Sequence, residues 1–439
     1  MDDHRDLFEY TSGRWIYNED VRLAERRLSF NVNELKKAAA KSVKKSESDV
    51  VSLRKLAEGG FNRIFEVTMR DGTCVLARLP YPSTLPRRLA VASEVATIDF
   101  VRAHGIPTPR VFGYAFNENP VGSECILMEK LCGQPIGDNW YNLSEQQRLQ
   151  VLHDIVKLES KLFSIQLPAS GSIYYTRDLD RSTPKVDVLG LDGQFCVGPY
   201  TGLRWWYGKR AELKLDRWPH IDTVRVLRAP AEKELSWIRE YAQPRDPESV
   251  SFTPPHLPVD LDSLDEAQRA QAHEQFRRRQ VHFFYLGFTQ RFNQRHWRAL
   301  EQEPDLLRGR IFDHAGEPWD GLNTTLQHDL VQIARNWEKI APRNHNGAAR
   351  PCPVSFTQKE TDQIEALAKS HRDADGDVEQ INEFLGIASD GWTPNERFES
   401  AKDKSAEIRE QALASANDDP WLREMSGRHW PFDDYDEDE

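Results

Sequence analysis

No stretch of this 439-residue chain approaches the roughly 20 consecutive apolar residues that span a bilayer, so a membrane-crossing helix is not expected. Cysteine is scarce. The five present (Cys74, Cys125, Cys132, Cys196 and Cys352) form no CxxC pair and no zinc spacing, and an odd number suits a disulfide-stapled secreted domain poorly. A reducing compartment fits better. Excess positive charge is also missing: the formal net charge is −12, which removes the electrostatic argument for nucleic-acid binding. The acids of the C-terminal segment (Asp433, Asp434, Asp436, Glu437, Asp438 and Glu439) supply six of those charges, and residues 417–439 are expected to form a solvated acidic tail. The opening MDDHRDLFEY carries acids where a mitochondrial presequence avoids them and lacks a secretory apolar core, so no targeting segment is expected and a cytoplasmic location is the default. G-x-S-x-G, H-E-x-x-H and Cys/His clusters are all absent, which argues against serine-hydrolase and zinc-hydrolase chemistry.

What is present divides into a strand-rich and a helix-rich part. NVNELKKAAAKSVKK places Val32, Leu35, Ala39 and Val43 on one helical face, with lysines mostly elsewhere. A docked surface helix explains this better than a membrane-surface helix. Residues 1–48 are therefore read as a helical extension. Strand-like runs follow at 51–57, 61–70, 73–79, 110–116 and 123–131, interrupted by a helical pattern at about 88–104, and Asp71-Gly72 marks a tight hairpin. Residues 49–135 thus predict a small antiparallel lobe with one inserted helix. From residue 136 to 416 helices dominate. Capping boxes at Ser144–Gln147, Ser263–Glu266 and Thr357–Glu360 open three of them, and others are expected near 229–242, 322–340 and 394–416. Leu152, Ile155, Val156, Leu158 and Leu162 are available to a core, and Val281, Phe284, Tyr285, Phe288 and Phe292 are assigned to one.

The chemistry-bearing stretch is LAEGGFNRIFEVTMRDGTCVLARLP, residues 56–80. Gly59 and Gly60, followed by Phe61, let a backbone approach phosphates closely, and Asn62 offers an amide. Arg78 sits within an apolar strand, where a cation is costly unless an anion meets it, and Glu94 in the following helix is the candidate partner.

This constellation resembles the protein-kinase-like fold of the aminoglycoside-phosphotransferase type, in which a strand cation pairs with a helix glutamate and holds nucleotide phosphates. The resemblance implies an α+β, two-lobed fold with ATP as the nucleotide. Arg78 stands where lysine is usual. In ILMEKLCG, residues 126–133, it also implies an interlobe hinge where backbone around Glu129 and Leu131 meets adenine behind Met128. LFEYTSGRW, GIPTPRV, FCVGP, APAEKELSWI, PWDGLNTTL and other spread-out runs are similar to the fungal family named for altered inheritance of mitochondria. That resemblance implies a mitochondrial association.

Two elements that the family needs do not appear: the H-x-D-x-x-x-x-N catalytic loop and the strand end whose aspartate holds magnesium. The text passes from IREYAQPRDPE directly into SVSFTPPHLPVD, as if a segment were deleted near Arg245 and Asp246. Substitutes fail on pattern. Asp329 in QHDL reads as part of a surface helix, Asp313-His314 has no downstream asparagine at the required spacing, and the proline-held His256 lacks the loop's pattern. Asp373-Ala374-Asp375-Gly376-Asp377 resembles a calcium loop, but Val378 and Phe384 occupy its glycine and glutamate positions, so it reads as a polar helix lead-in. The expectation is a lobe that still takes nucleotide, no catalytic residue, a lost Mg2+ site, and an inactive family member or scaffold. An active phosphotransferase on a small hydroxylated acceptor is the alternative for a complete gene product.

Overall fold

The computed structural model describes residues 5–116, 118–241, 285, 288–301, 310–315 except 312, 323–341, 350–415 and 423–434 except 425, 428 and 429. The junction at Arg245 and Asp246, the prolines around His256, the Ser263 capping box, Val281 and Phe284 lie outside those residues.

A five-stranded antiparallel sheet is built from β1 (Val50–Glu58), β2 (Asn62–Met69), β3 (Cys74–Pro80), β4 (Val111–Ala115) and β5 (Cys125–Glu129), in the order β1-β2-β3-β5-β4. The period-2 alternation predicts which face each side chain takes. Phe65, Val67 and Met69 of β2, with Val75, Ala77 and Leu79 of β3, fall on one face and are essentially inaccessible. That face is covered by the N-terminal segment. In α2 (Val32–Ser42), Leu35, Ala39 and Ala40 are fully buried, and Leu7, Leu28 and Phe30 join the same cluster. The described part of this N-terminal segment therefore shares the sheet's core instead of forming a separate extension. Asp71-Gly72 forms the β2–β3 hairpin turn, with Gly72 at φ +86° and the Thr73 amide donating to Asp71 Oδ1.

The opposite face of the sheet meets α3 (Arg87–Ala103), inserted between β3 and β4 as the sequence predicts. Its other side carries a second, three-stranded sheet that the sequence did not reveal as a sheet: β6 (Ser172–Tyr175), β7 (Val186–Asp187) and β8 (Phe195–Gly198), ordered β6-β8-β7. Val91, Val95, Ala96 and Phe100 of α3 pack with Ile126 on one side and with Tyr175, Phe195 and Val197 on the other. The helix is thus held between two sheets, and its position is fixed by burial on both flanks.

Helices follow: α4 (Glu145–Ser164), α5 (Thr223–Tyr241), α6 (Thr324–Arg335), α7 (Gln358–Leu385) and α8 (Asn395–Ser415). The Ser144 and Thr357 capping boxes form as expected. Among the described residues no helix is long and apolar enough to cross a membrane. An antiparallel α+β lobe followed by a mainly helical region is the kinase-like arrangement that the motifs implied.

Several expectations are corrected. On α4, Leu152 and Val156 are buried, but Ile155 and Leu162 stand 43% and 47% exposed, so only part of the apolar set faces inward. Asp373–Asp377 lie in the middle of α7 rather than leading into a helix, and α7 continues to Leu385 because Leu385 and Ile381 find a buried seat against α8. The C-terminal segment does not simply trail into solvent: Trp430 and Phe432 are buried with Tyr17, Ile408 and Ala412, Asp433 pairs with Arg409 at 2.6 Å, and Asp434 accepts from the Asn18 amide at 2.5 Å. Two large aromatic rings outweigh the charge of their neighbours.

Candidate functional site

The glycine turn joins β1 to β2 and is braced by the residues flanking it. Gly59 N–H donates to the Asn62 carbonyl at 2.8 Å, closing the turn. Glu58, whose side chain is 1% exposed, lies 2.9 Å from Nε of the fully buried Arg63. That N–H is not aimed at the carboxylate, so the contact is ionic, while Arg63 Nη1 donates to the Leu7 carbonyl at 2.8 Å. Glu58 also accepts from the Thr11 amide at 2.9 Å and the Ser12 hydroxyl at 2.7 Å. Burial alone raises the Glu58 pKa, but the Ser12 and Thr11 hydrogen bonds and the charges of Arg63 and Lys55 hold it below the ordinary carboxylate value. The N-terminal segment thus fastens the turn. Charged residues on both sides of GG were the only sequence signal for this.

Neither glycine is demanded by the folded chain. A Cβ at Gly60 would meet nothing within 4 Å, and one at Gly59 would find only the Asn62 carbonyl at 3.6 Å.

Behind the turn, the alternation of β3 turns Arg78 away from the Ala77 face and towards α3. There it forms an ion pair with Glu94, with side chains 26% and 29% exposed. Burial pushes the Arg78 pKa down, yet an arginine remains charged. In the sheet Arg78 pairs with Ile64 on one side and Ile126 on the other. Phe61, Asn62, Arg78 and Glu94 border a single cavity of about 200 Å³. Its remaining wall includes Thr201 and Leu203, which arrive from the segment after β8 and which no sequence pattern singled out.

The other nominated residues lie apart from this cavity's lining. Gly60 borders a neighbouring cavity instead. Met128 pairs with Leu76 across β5–β3 and packs in the α3 cluster. Glu129 ends β5, with its amide donating to the Arg110 carbonyl at 2.8 Å and its carboxylate accepting from the Arg110 amide at 3.1 Å. Leu131 follows with its side chain 57% exposed.

Among the substitutes weighed for a catalytic loop, Asp329 is corrected. It lies on α6, as predicted, but is fully buried and accepts from both Arg310 and His314. Thus Asp313-His314 and His328-Asp329, separate in sequence, meet through His314 and Asp329. The Asn323 side chain caps α6 at the Leu326 amide and donates to the His314 carbonyl at 2.9 Å. A fully buried carboxylate held by a guanidinium and an imidazole is a structural pin.

Comparisons with known proteins agree with the arrangement. A subtelomeric hrmA-associated cluster protein of Aspergillus fumigatus is 24% identical over 508 aligned positions, covering 87% of this chain and 96% of that protein. An altered inheritance of mitochondria protein 9 of Yarrowia lipolytica, named as mitochondrial, is 28% identical over 56% of this chain and 47% of its own length. Its Saccharomyces cerevisiae counterpart is 33% identical over 39% and 28%. The first alignment is longer than the 439-residue chain itself, so the relative carries many residues without a counterpart here. A family model described as the phosphotransferase enzyme family matches residues 52–329, from β1 through the buried Asp329 and well over half of the sequence, and the chain belongs to that family.

Proposed function

We propose that this protein is a kinase-like phosphotransferase-family member whose N-terminal lobe takes the phosphates of ATP, but whose capacity for phosphoryl transfer is strongly reduced. The observation that carries the nucleotide half is the Arg78–Glu94 pair on the same cavity as Asn62 and Phe61, beside a glycine that the packing of the free protein does not require. A guanidinium oriented by one carboxylate keeps donors for a second anion. The wall formed by Thr201 and Leu203 limits the space at Arg78 to the phosphates. Backbone around Glu129 and Leu131 is the proposed adenine contact.

The reduced-turnover half rests on the missing H-x-D-x-x-x-x-N loop and metal-binding aspartate, and on the extra aligned positions in the Aspergillus relative. A positioned proton-transfer group is worth about 10²–10⁴ in rate, and metal stabilisation contributes several kcal/mol more. Losing both costs on the order of 10⁵, against rates of roughly 1–100 per second in kinases. A scaffold role beside mitochondria, suggested by the names of the relatives, is compatible with such a molecule.

Thermal denaturation with and without Mg-ATP, alongside a phosphate-release assay, tests both halves. A saturable rise in melting temperature without turnover is expected; turnover at several per second overturns the proposal. The aligned positions without a counterpart favour one second reading, in which the gene encodes an active phosphotransferase on a small hydroxylated acceptor and this chain is a shortened product. Sequencing the transcript across the codons for Arg245 and Asp246 separates the two.

A further inference from the structure

The N-terminal segment touches more than the first lobe. After Leu7 in the sheet's core, residues 11–18 pass the glycine turn and run alongside the connection between α7 and α8; α1 (Glu19–Arg26) then leads back to Leu28 and Phe30 in the same core. Thr11 is the junction. Its amide donates to Glu58 at 2.9 Å, its hydroxyl accepts from Lys55, and its carbonyl accepts at 2.8 Å from the side chain of Asn395, the first residue of α8.

Beyond Thr11 the segment is anchored in buried surface. Arg14 and Trp15 pair in antiparallel register with Thr393 and Trp392, and the Ile16 amide donates to the Gly391 carbonyl at 3.0 Å. Trp15 and Tyr17 are 2% and 7% exposed, and the Tyr17 hydroxyl donates to the Ser389 carbonyl at 3.0 Å. The other end is held differently. The bonds of Thr11 and Ser12 to Glu58, and that of Asn395 to Thr11, lie at the surface. Solvent-exposed hydrogen bonds open at lower free energy than buried packing, so this clasp yields before the anchor does.

The two stems of the turn are secured separately. At the far stem the Phe61 carbonyl accepts from the Tyr81 amide at 2.9 Å and the Thr84 hydroxyl at 2.7 Å. The near stem ends at Glu58, whose carboxylate is the acceptor of the clasp. Between them a Cβ at Gly60 would meet nothing within 4 Å, so side-chain packing does not hold the tip.

We propose that residues 11–18 are a strap through which the C-terminal helices control the mobility of the glycine turn. Asn395 bonds to Thr11 rather than to the turn, so a change there reaches Glu58 through the strap. The bearing of this on phosphate binding rests on the nucleotide reading; the coupling itself does not, because it operates in the free chain.

Hydrogen exchange of the full chain without nucleotide, followed by mass spectrometry, tests it. Asn395→Ala and Ser12→Glu both alter exposed side chains outside the turn, the second by setting a carboxylate against Glu58. Each should speed exchange over residues 56–62 about threefold or more, the effect of losing one exposed hydrogen bond, while exchange in the buried middle of β2 and β3 stays unchanged. Glu396→Ala, exposed and one residue further along α8, should leave the turn as it is. Absence of acceleration in either Asn395→Ala or Ser12→Glu would overturn the proposal. So would an equal acceleration in Glu396→Ala, or one spread evenly over the whole chain, which marks a general loss of stability.

Discussion

Replacing Glu58 with alanine removes the carboxylate that steadies the glycine turn. Arg63 would keep its hydrogen bond to the Leu7 carbonyl and its place 5.5 Å from the Tyr81 ring, but a guanidinium with no exposed surface would lose its counter-charge. Breaking a buried pair from one side costs about 3–5 kcal/mol, because the remaining charge stays desolvated. The Thr11 amide and the Ser12 hydroxyl lose their acceptor as well, although both lie near enough to the surface for water to substitute. About 3–5 kcal/mol is a large share of the 5–15 kcal/mol typical of a folded domain. Urea denaturation followed by tryptophan emission measures it, since Trp15 reports on the same segment. Glu58→Gln, which keeps an acceptor but drops the charge, should fall between the wild type and Glu58→Ala. A loss below about 1 kcal/mol for the alanine variant, a size typical of exposed pairs, would refute the view that this ion pair anchors the turn.

Acid should weaken the same anchor. Because the Glu58 pKa is lowered in the folded state, its contribution is fully present above the ordinary value of 4.5 and is lost as pH falls through the lower folded value; urea midpoints of Glu58→Gln should show a shallower decline over that window. Gly13→Ala would set a Cβ 2.4 Å from Trp392 Nε1 and 2.5 Å from the Thr393 carbonyl, separating the short Arg14–Trp15 and Trp392–Thr393 strands, and should cost about 1–3 kcal/mol in the same assay. Trp430→Ala empties a site only 4% exposed and should cost about 3–5 kcal/mol; an unchanged melting temperature would return the C-terminal segment to solvent. Glu94→Ala leaves Arg78 without its partner and should cost about 1–3 kcal/mol, part of which saturating ATP should restore if phosphates meet the guanidinium.

The sequence by itself determined the local elements of the first lobe. Alternation in IFEVTM and CVLARLP fixed which side chains face the core, Asp71-Gly72 fixed the hairpin, and an arginine inside an apolar strand required an anion, so Arg78 and Glu94 could be paired before any coordinates. Those features are set by neighbours within a few residues or by one cross-strand step, which is why periodicity reaches them. Tertiary structure alone decided what meets across long separations. It brought Thr11 and Ser12 to Glu58, Thr201 and Leu203 to the Arg78 cavity, His314 to Asp329, and Trp430 to Tyr17. No local pattern encodes such contacts, because each depends on how segments from 15 to several hundred residues apart share buried surface. That is also why an acidic tail could be read as solvated while its aromatic residues found a core.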